Sequence, residues 1–91
     1  MTKEELVRRV SQNTRYKQSV VSKILDESIG VIMDAVADGD EVRFLGFGSF
    51  SRVQRAARVG RNPATNEAIP IPEKLIPVFR PGETFKRKVR E

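Results

Sequence analysis

The first half of the chain repeats its apolar residues at helical spacing. Leu6, Val7 and Val10 form a stripe behind Thr2 and Glu5, which read as a capping box whose hydroxyl and carboxylate each satisfy a backbone N–H at a helix start. This predicts a first helix from about Lys3 to Ser11 or Gln12. Asn13-Thr14 reads as a break, and a second helix is predicted from about Lys17 to Ala37, stopped by Asp38-Gly39-Asp40. Along it Val21, Leu25, Ile32 and Val36 fall on one stripe and Val20, Ile24, Val31 and Ala35 on a neighbouring one, widened by Ile29 and Met33. An arc this wide exceeds what one face packed on a single small partner requires. Burial on two sides follows, and in so short a chain the second side most naturally belongs to another subunit; a wide stripe inside a compact monomer is the alternative.

After Gly39 the period changes. Val42, Phe44, Phe47, Phe50 and Val53 stand among Gly46, Gly48 and Ser49, which predicts two antiparallel strands, about Glu41–Leu45 and Ser49–Arg55, joined by a glycine-containing turn. Ile69-Pro70-Ile71-Pro72 excludes an interior helix or a central strand but suits one edge of an extended ribbon. From Leu75, Ile-Pro-Val-Phe reads as a returning strand, and Pro81-Gly82 introduces a short basic helix through Phe85 and Val89. Arg52, Arg55, Arg58 and Arg61 recur every three residues. By local propensity Arg52 to Arg58 also suits a basic helix, against whose extension Gly60 and Pro63 argue. In an extended ribbon this spacing sends successive arginines to opposite faces, so both sides become cationic. About eleven residues out and eleven back, at ~3.3 Å each, make an arm of roughly 35 Å, too long to fold into the core of a domain whose radius of gyration is near 13 Å. A solvated, flexible basic loop is the other reading of the same charges.

Composition narrows the chemistry. The 91 residues include no cysteine and no histidine, which removes thiolate and imidazole metal sites, disulfides and histidine-based acid/base catalysis. No catalytic residue, metal ligand or cofactor is expected; the carboxylate pairs Glu4-Glu5, Asp26-Glu27 and Asp40-Glu41 read as ordinary surface. The charged start Met-Thr-Lys-Glu-Glu lacks the apolar stretch of a signal peptide, and the run Ile29 to Met33 is far too short to span a bilayer, so a cytoplasmic protein is expected. The net charge of +5 is unevenly placed: residues 1–50 carry seven Lys/Arg against eight Asp/Glu, a balance of −1, and residues 51–91 carry ten against four, a balance of +6. A basic half joined to a neutral half is the electrostatic footprint of a site for a polyanion.

Three blocks make the reading specific. Gly46 to Phe50 (GFGSF), Arg55 to Pro63 (RAARVGRNP) and Val78 to Gly82 (VFRPG) resemble, in order and spacing, the signature blocks of the HU and integration host factor family of bacterial histone-like proteins, most like HU, across nearly all of the chain. The resemblance implies an α+β fold: an intertwined dimer with a helical base, a three-stranded antiparallel sheet, extended β-ribbon arms and a short C-terminal helix. Residues 1–91 then form a single domain, 1–40 its helical dimerisation part and 41–91 its sheet, arm (about 52–74) and C-terminal helix. Phe47, Phe50 and Phe79 are implied in the dimer core. Arg55, Arg58, Arg61, Asn62 and Pro63 are implied in the arm that touches DNA, and Arg80 and Lys86 in contacts to the flanking backbone; Arg52, Lys74 and Lys3 are added from charge and location.

The implied partner is double-stranded DNA, bound by a homodimer, with pairing to a paralogue the alternative, in the nucleoid. The implied function is largely sequence-independent bending that compacts and organises the chromosome. Arginines neutralise phosphates and favour a narrow minor groove. The family is itself among the known minor-groove wedges, so a wedge role for Pro63 is carried over from the resemblance; on its own, Asn62-Pro63 reads as a turn former. Two positions depart from the family pattern: Asn66 where the arm turn often has glycine, a mild change because asparagine tolerates positive φ, and Lys17 where a helix-capping serine or threonine is usual. A sequence-preferring regulator remains the runner-up, its preference arising mostly from DNA deformability, because the minor groove's code is degenerate. An RNA-binding protein would require stacking aromatics, whereas the phenylalanines occupy core-like positions and Tyr16 stands alone.

Overall fold

A computed structural model describes all of residues 1–91. In chain order the elements are α1 (Lys3–Thr14), α2 (Gln18–Ala37), β1 (Val42–Phe44), β2 (Gly48–Arg55), β3 (Arg58–Arg61), β4 (Ala68–Ile71), β5 (Lys74–Pro81) and α3 (Glu83–Arg90). The chain divides into two compact units, Met1–Asp34 and Ala35–Glu91, with the division inside α2.

In the first unit Thr2 caps α1 as expected, its Oγ1 accepting from the Glu5 N–H at 3.4 Å, but the second half of the capping box is not formed: the Glu5 carboxylate accepts from Arg9 Nη2 at 3.2 Å, one turn on. α1 runs about two residues past the expected end because Thr14 turns its hydroxyl back onto the Val10 carbonyl at 2.7 Å and stays helical. The break falls instead on Arg15, at φ 65°, whose N–H closes on the Ser11 carbonyl at 2.7 Å. α2 starts at Gln18, and the Lys17 carbonyl accepts from the N–H groups of Val20 and Val21 at 3.0 Å each. Val7 and Val21 are buried, while Leu6, Val10, Val20, Ile24, Ile29, Val31 and Met33 are exposed.

In the second unit β1, β2 and β5 form a three-stranded antiparallel sheet with β2 in the centre, and β3 and β4 form a two-stranded antiparallel ribbon. In the sheet Phe50 lies opposite Phe79 and Arg55 opposite Lys74; in the ribbon Arg58 lies opposite Ile71 and Arg61 opposite Ala68. The alternative of a basic helix from Arg52 to Arg58 is excluded, since these residues are strand down to Arg55 and strand again from Arg58. Pro77 and Pro81 lie on β5, an edge strand, and Pro70 on β4, where a nitrogen turned away from the neighbouring strand loses no ladder bond.

All five phenylalanines gather at the base of this unit. Phe47 is the hub, with ring centroids 6.1 Å from Phe44, 6.3 Å from Phe50, 5.2 Å from Phe79 and 5.5 Å from Phe85. Phe44 and Phe85 thus join the cluster expected of Phe47, Phe50 and Phe79. Phe47 nevertheless remains 46% exposed. Across the whole chain only Val7, Val21 and Val36 are buried apolar residues, far short of what a 91-residue chain must bury to hold itself together.

Gly48 shows how closely β2 and β5 meet. At φ 152° a Cβ there would lie 2.5 Å from the Arg80 carbonyl oxygen and 2.6 Å from the Phe79 ring. Gly48→Ala should therefore cost about 2–4 kcal/mol, overpacking and backbone strain together, read as a lowered midpoint in chemical denaturation.

Candidate nucleic-acid interface

The ribbon continues the strand pair β2–β5 outward after a short interruption at Ala56-Ala57 and Pro72-Glu73, where no ladder is formed. Its far end is a turn closed by its own groups. The Asn62 N–H donates to the Glu67 carbonyl at 2.9 Å, the Asn66 N–H to the Asn62 carbonyl at 2.7 Å, and the Ala64 N–H to Asn62 Oδ1 at 2.9 Å. Asn66 takes φ 59°, the left-handed conformation that asparagine tolerates. Pro63 is exposed at the corner of this turn, and Arg61 donates from Nη1 to the Asn66 carbonyl at 3.2 Å.

Below the tip, Arg55, Arg58 and Lys74 line one concave surface whose floor is Ala56, Ile71, Pro72 and Ile76. All three cations are exposed and none has an ion-pair partner. The expectation that successive arginines alternate between faces is thus corrected for Arg55 and Arg58, which share this surface. The cause is the interruption between them, because strict alternation holds only along an unbroken strand. Arg80, also exposed, lies on β5 opposite Ser49.

The remaining expected residues have partners within the protein. Arg52 donates from Nη1 to the Ala37 carbonyl at 2.7 Å, and its Nη2 would lie 3.1 Å from a Cβ on Gly39. It thereby satisfies a carbonyl at the negative end of α2. Lys3 pairs with Asp26 at 2.7 Å, both side chains more than half exposed. Lys86 sits on α3, one turn from Glu83 and 3.9 Å from its carboxylate. α3 carries Arg87, Lys88 and Arg90 in its last turn, so the basic C-terminal run is one helix end. The surface therefore assembles Arg55, Arg58, Lys74, Arg61, Asn62 and Pro63 along one arm and leaves Lys3, Arg52 and Lys86 outside it. Sequence reading did not single out Ile71 and Ile76, which line the surface with the cations; their positions, Ile71 opposite Arg58 and Ile76 opposite Val53, are visible only once the pairing is known.

Compared with known proteins, residues 1–90 match the family model described as bacterial DNA-binding protein. The chain belongs to this family. Among members of the bacterial DNA-binding protein family it is 44% identical over 90 residues to the DNA-binding protein HU of Thermotoga maritima, covering 99% of this chain and 100% of that one. It is 38% identical over 89 residues to DNA-binding protein HU 1 of Bacillus subtilis, covering 98% and 97%. The structure superposes on that of Anabaena HU in a cocrystal with DNA with a TM-score of 0.90, at 40% identity over 98% of this chain and 97% of that one. The HU of Thermotoga maritima follows at a TM-score of 0.69, 31% identity and 98% coverage of both chains. The resemblance carried by the three sequence blocks thus holds along the whole of this family member.

Arg52 and Arg55 differ in what they do for the fold. Arg52→Ala should lower stability by about 1 kcal/mol through loss of the bond to the Ala37 carbonyl, whereas Arg55→Ala should leave the urea midpoint unchanged.

Proposed function

We propose that the protein is an architectural DNA-binding protein: a dimer that grips duplex DNA between two ribbon arms and bends it, largely without regard to sequence, and catalyses no reaction. The observation that carries this reading is the arm itself, a narrow two-stranded element bearing Arg55, Arg58, Arg61 and Lys74 with no core of its own. An element of this width and charge fits a groove walled by phosphates. The likeness to an HU crystallised with DNA supports it.

Residues 1–91 act as one functional domain, the helical part up to about residue 40 serving dimerisation and the remainder serving DNA. The dimer follows from the deficit of buried surface: a half-exposed Phe47 and the exposed apolar residues of α2 require cover that a single chain does not supply. A homodimer satisfies this most simply. Arg80 and Lys86 reach the DNA flanking the arms, and Lys3 and Arg52 contribute once their internal partners are released. The protein works on the chromosome in the cytoplasm, as a nucleoid component; no helix is long and apolar enough to cross a membrane.

Pro63, exposed at the tip, combines a rigid ring with a missing N–H, so it enters between stacked bases without leaving a donor unpaired. Sedimentation should give a dimer at micromolar concentration, and Phe47→Ala should cost about 3–5 kcal/mol of its stability; a folded monomer would contradict the dimer. Arg55→Ala, Arg58→Ala and Arg61→Ala should each weaken binding to all duplexes alike and reduce the slope of log K against log salt by about 0.9 for each phosphate no longer neutralised. Pro63→Ala should retain affinity for nicked DNA, where unstacking is already partly accomplished, while bending of intact duplex and ring closure of short fragments fall. Equal loss of affinity on nicked and intact DNA with bending unchanged would make Pro63 a turn former instead.

A further inference from the structure

The prolines of the returning strands have an unusual arithmetic. In both ladders the residue numbers of opposed pairs add to the same value, so the pairing of β2 with β5 continues into β3 with β4 without insertion on either strand. The hydrogen bonds do not continue in the same phase. Opposed pairs in an antiparallel ladder alternate between bonded and non-bonded, and proline can occupy only the latter when its neighbour is on one side. In the sheet, Gly82 N–H donates to the Phe47 carbonyl at 2.8 Å. Counting by twos makes 49, 51, 53 and 55 the bonded positions of β2 and leaves Pro77 and Pro81 opposite non-bonded ones. In the ribbon, Asn62 N–H donates to the Glu67 carbonyl at 2.9 Å. Counting back makes 60 and 58 the bonded positions and leaves Pro70 opposite a non-bonded one. Bonded pairs thus fall at Arg55 and Arg58, three residues apart instead of two.

Odd-numbered prolines 77 and 81 forbid the ribbon's phase in the sheet, and even-numbered prolines 70 and 72 forbid the sheet's phase in the ribbon. The slip lies between them, at Ala56-Ala57 and Pro72-Glu73, where the ladder is missing. Side chains of bonded pairs all stand on one face of a ribbon. Arg80, Lys74, Arg55 and Arg58 all belong to bonded pairs; an unbroken ladder would send Arg58 to the opposite face. The shared surface of Arg55, Arg58, Lys74, Ile71 and Ile76 independently matches this assignment, as does Gly60, whose Cβ would meet Ile71 Cδ1 at 2.7 Å. Arg61 belongs to a non-bonded pair and stands on the other face.

We infer that the four prolines of the returning strands encode a one-residue phase slip, and that this slip gathers Arg58 with Arg55, Lys74 and Arg80 into one track that follows a single phosphate backbone of duplex DNA. The inference rests on the DNA-binding reading and adds which face of the arm meets which part of the duplex: the track takes one backbone, and Arg61 addresses the opposite side of the groove.

The test exchanges Arg58 and Val59 (Arg58→Val with Val59→Arg), which keeps composition and charge but moves the cation to the other face. It is made in the native background and in Pro70→Val/Pro72→Val, where the sheet's phase is free to continue. In the native background the exchange should lower the salt slope by about 0.9 and weaken duplex binding roughly eightfold at 0.1 M salt relative to its effect at 1 M, the share of one neutralised phosphate. In the Pro70→Val/Pro72→Val background the sign should reverse, the exchanged protein being the tighter binder. NMR of the free protein reads the phase directly. Close Hα–Hα contacts are expected between Val59 and Pro70 and between Arg61 and Ala68, alongside Arg52 with Pro77. An exchange that leaves native affinity and slope unchanged overturns the track, and a slip that persists without the prolines overturns their encoding of it. A native protein that does not bind duplex DNA overturns the functional reading instead, while the NMR contacts still decide the slip.

Discussion

The pairing of β2 with β5 is the constraint on which the C-terminal unit depends. It brings Phe50 against Phe79, sets Arg80 beside Ser49, and fixes the direction in which both strands leave the sheet. Backbone hydrogen bonds carry this register, and a shift of one residue would exchange the phenylalanine face with the arginine face. At Gly48 the two strands leave no room for a side chain, which would meet the Arg80 carbonyl and the Phe79 ring. The arm is the same pair of strands carried past the edge of the core, and its orientation is inherited from a packing decision made among phenylalanines at its root.

The helices obey a different requirement. Their apolar residues are numerous, yet almost none is buried within one chain. In the proposed dimer the hydrophobic term that stabilises such a sequence is largely intermolecular, and folding and association become one process with a concentration dependence. The charge distribution fits the proposed division of labour, the first half being nearly neutral and the second basic.

Much of this was legible in the sequence. Helical periodicity located α1 and α2, and Thr2 as a capping residue located a start, because these signals are local. The end of α1 was misplaced because Thr14 reads as a breaker yet back-bonds to Val10. The arm was legible from its prolines, glycine and charge. The faces of its arginines were not, since a three-residue spacing alternates only along an unbroken strand and the strand is interrupted at residues 56 and 57. Proline parity is nonetheless a property of the sequence itself: 70 and 72 against 77 and 81. Arg52 is the instructive case, a cation chosen for its place in a basic series whose guanidinium turns inward to a helix end. Its role depends on a tertiary neighbour fifteen residues away, which no local pattern announces.

The self-closed turn at the arm's tip has a kinetic and entropic corollary. Asn62 and Asn66 close the loop through backbone bonds and the Asn62 amide oxygen, so in the proposed DNA-binding role Pro63 would be presented by a turn that is already closed. Ordering losses on docking then fall on the long arginine and lysine side chains, at about 0.5–1.5 kcal/mol for each one immobilised. A tip that needs no rearrangement also leaves the association rate to diffusion and charge steering. Residence time is then the quantity that changes at the tip itself can alter most.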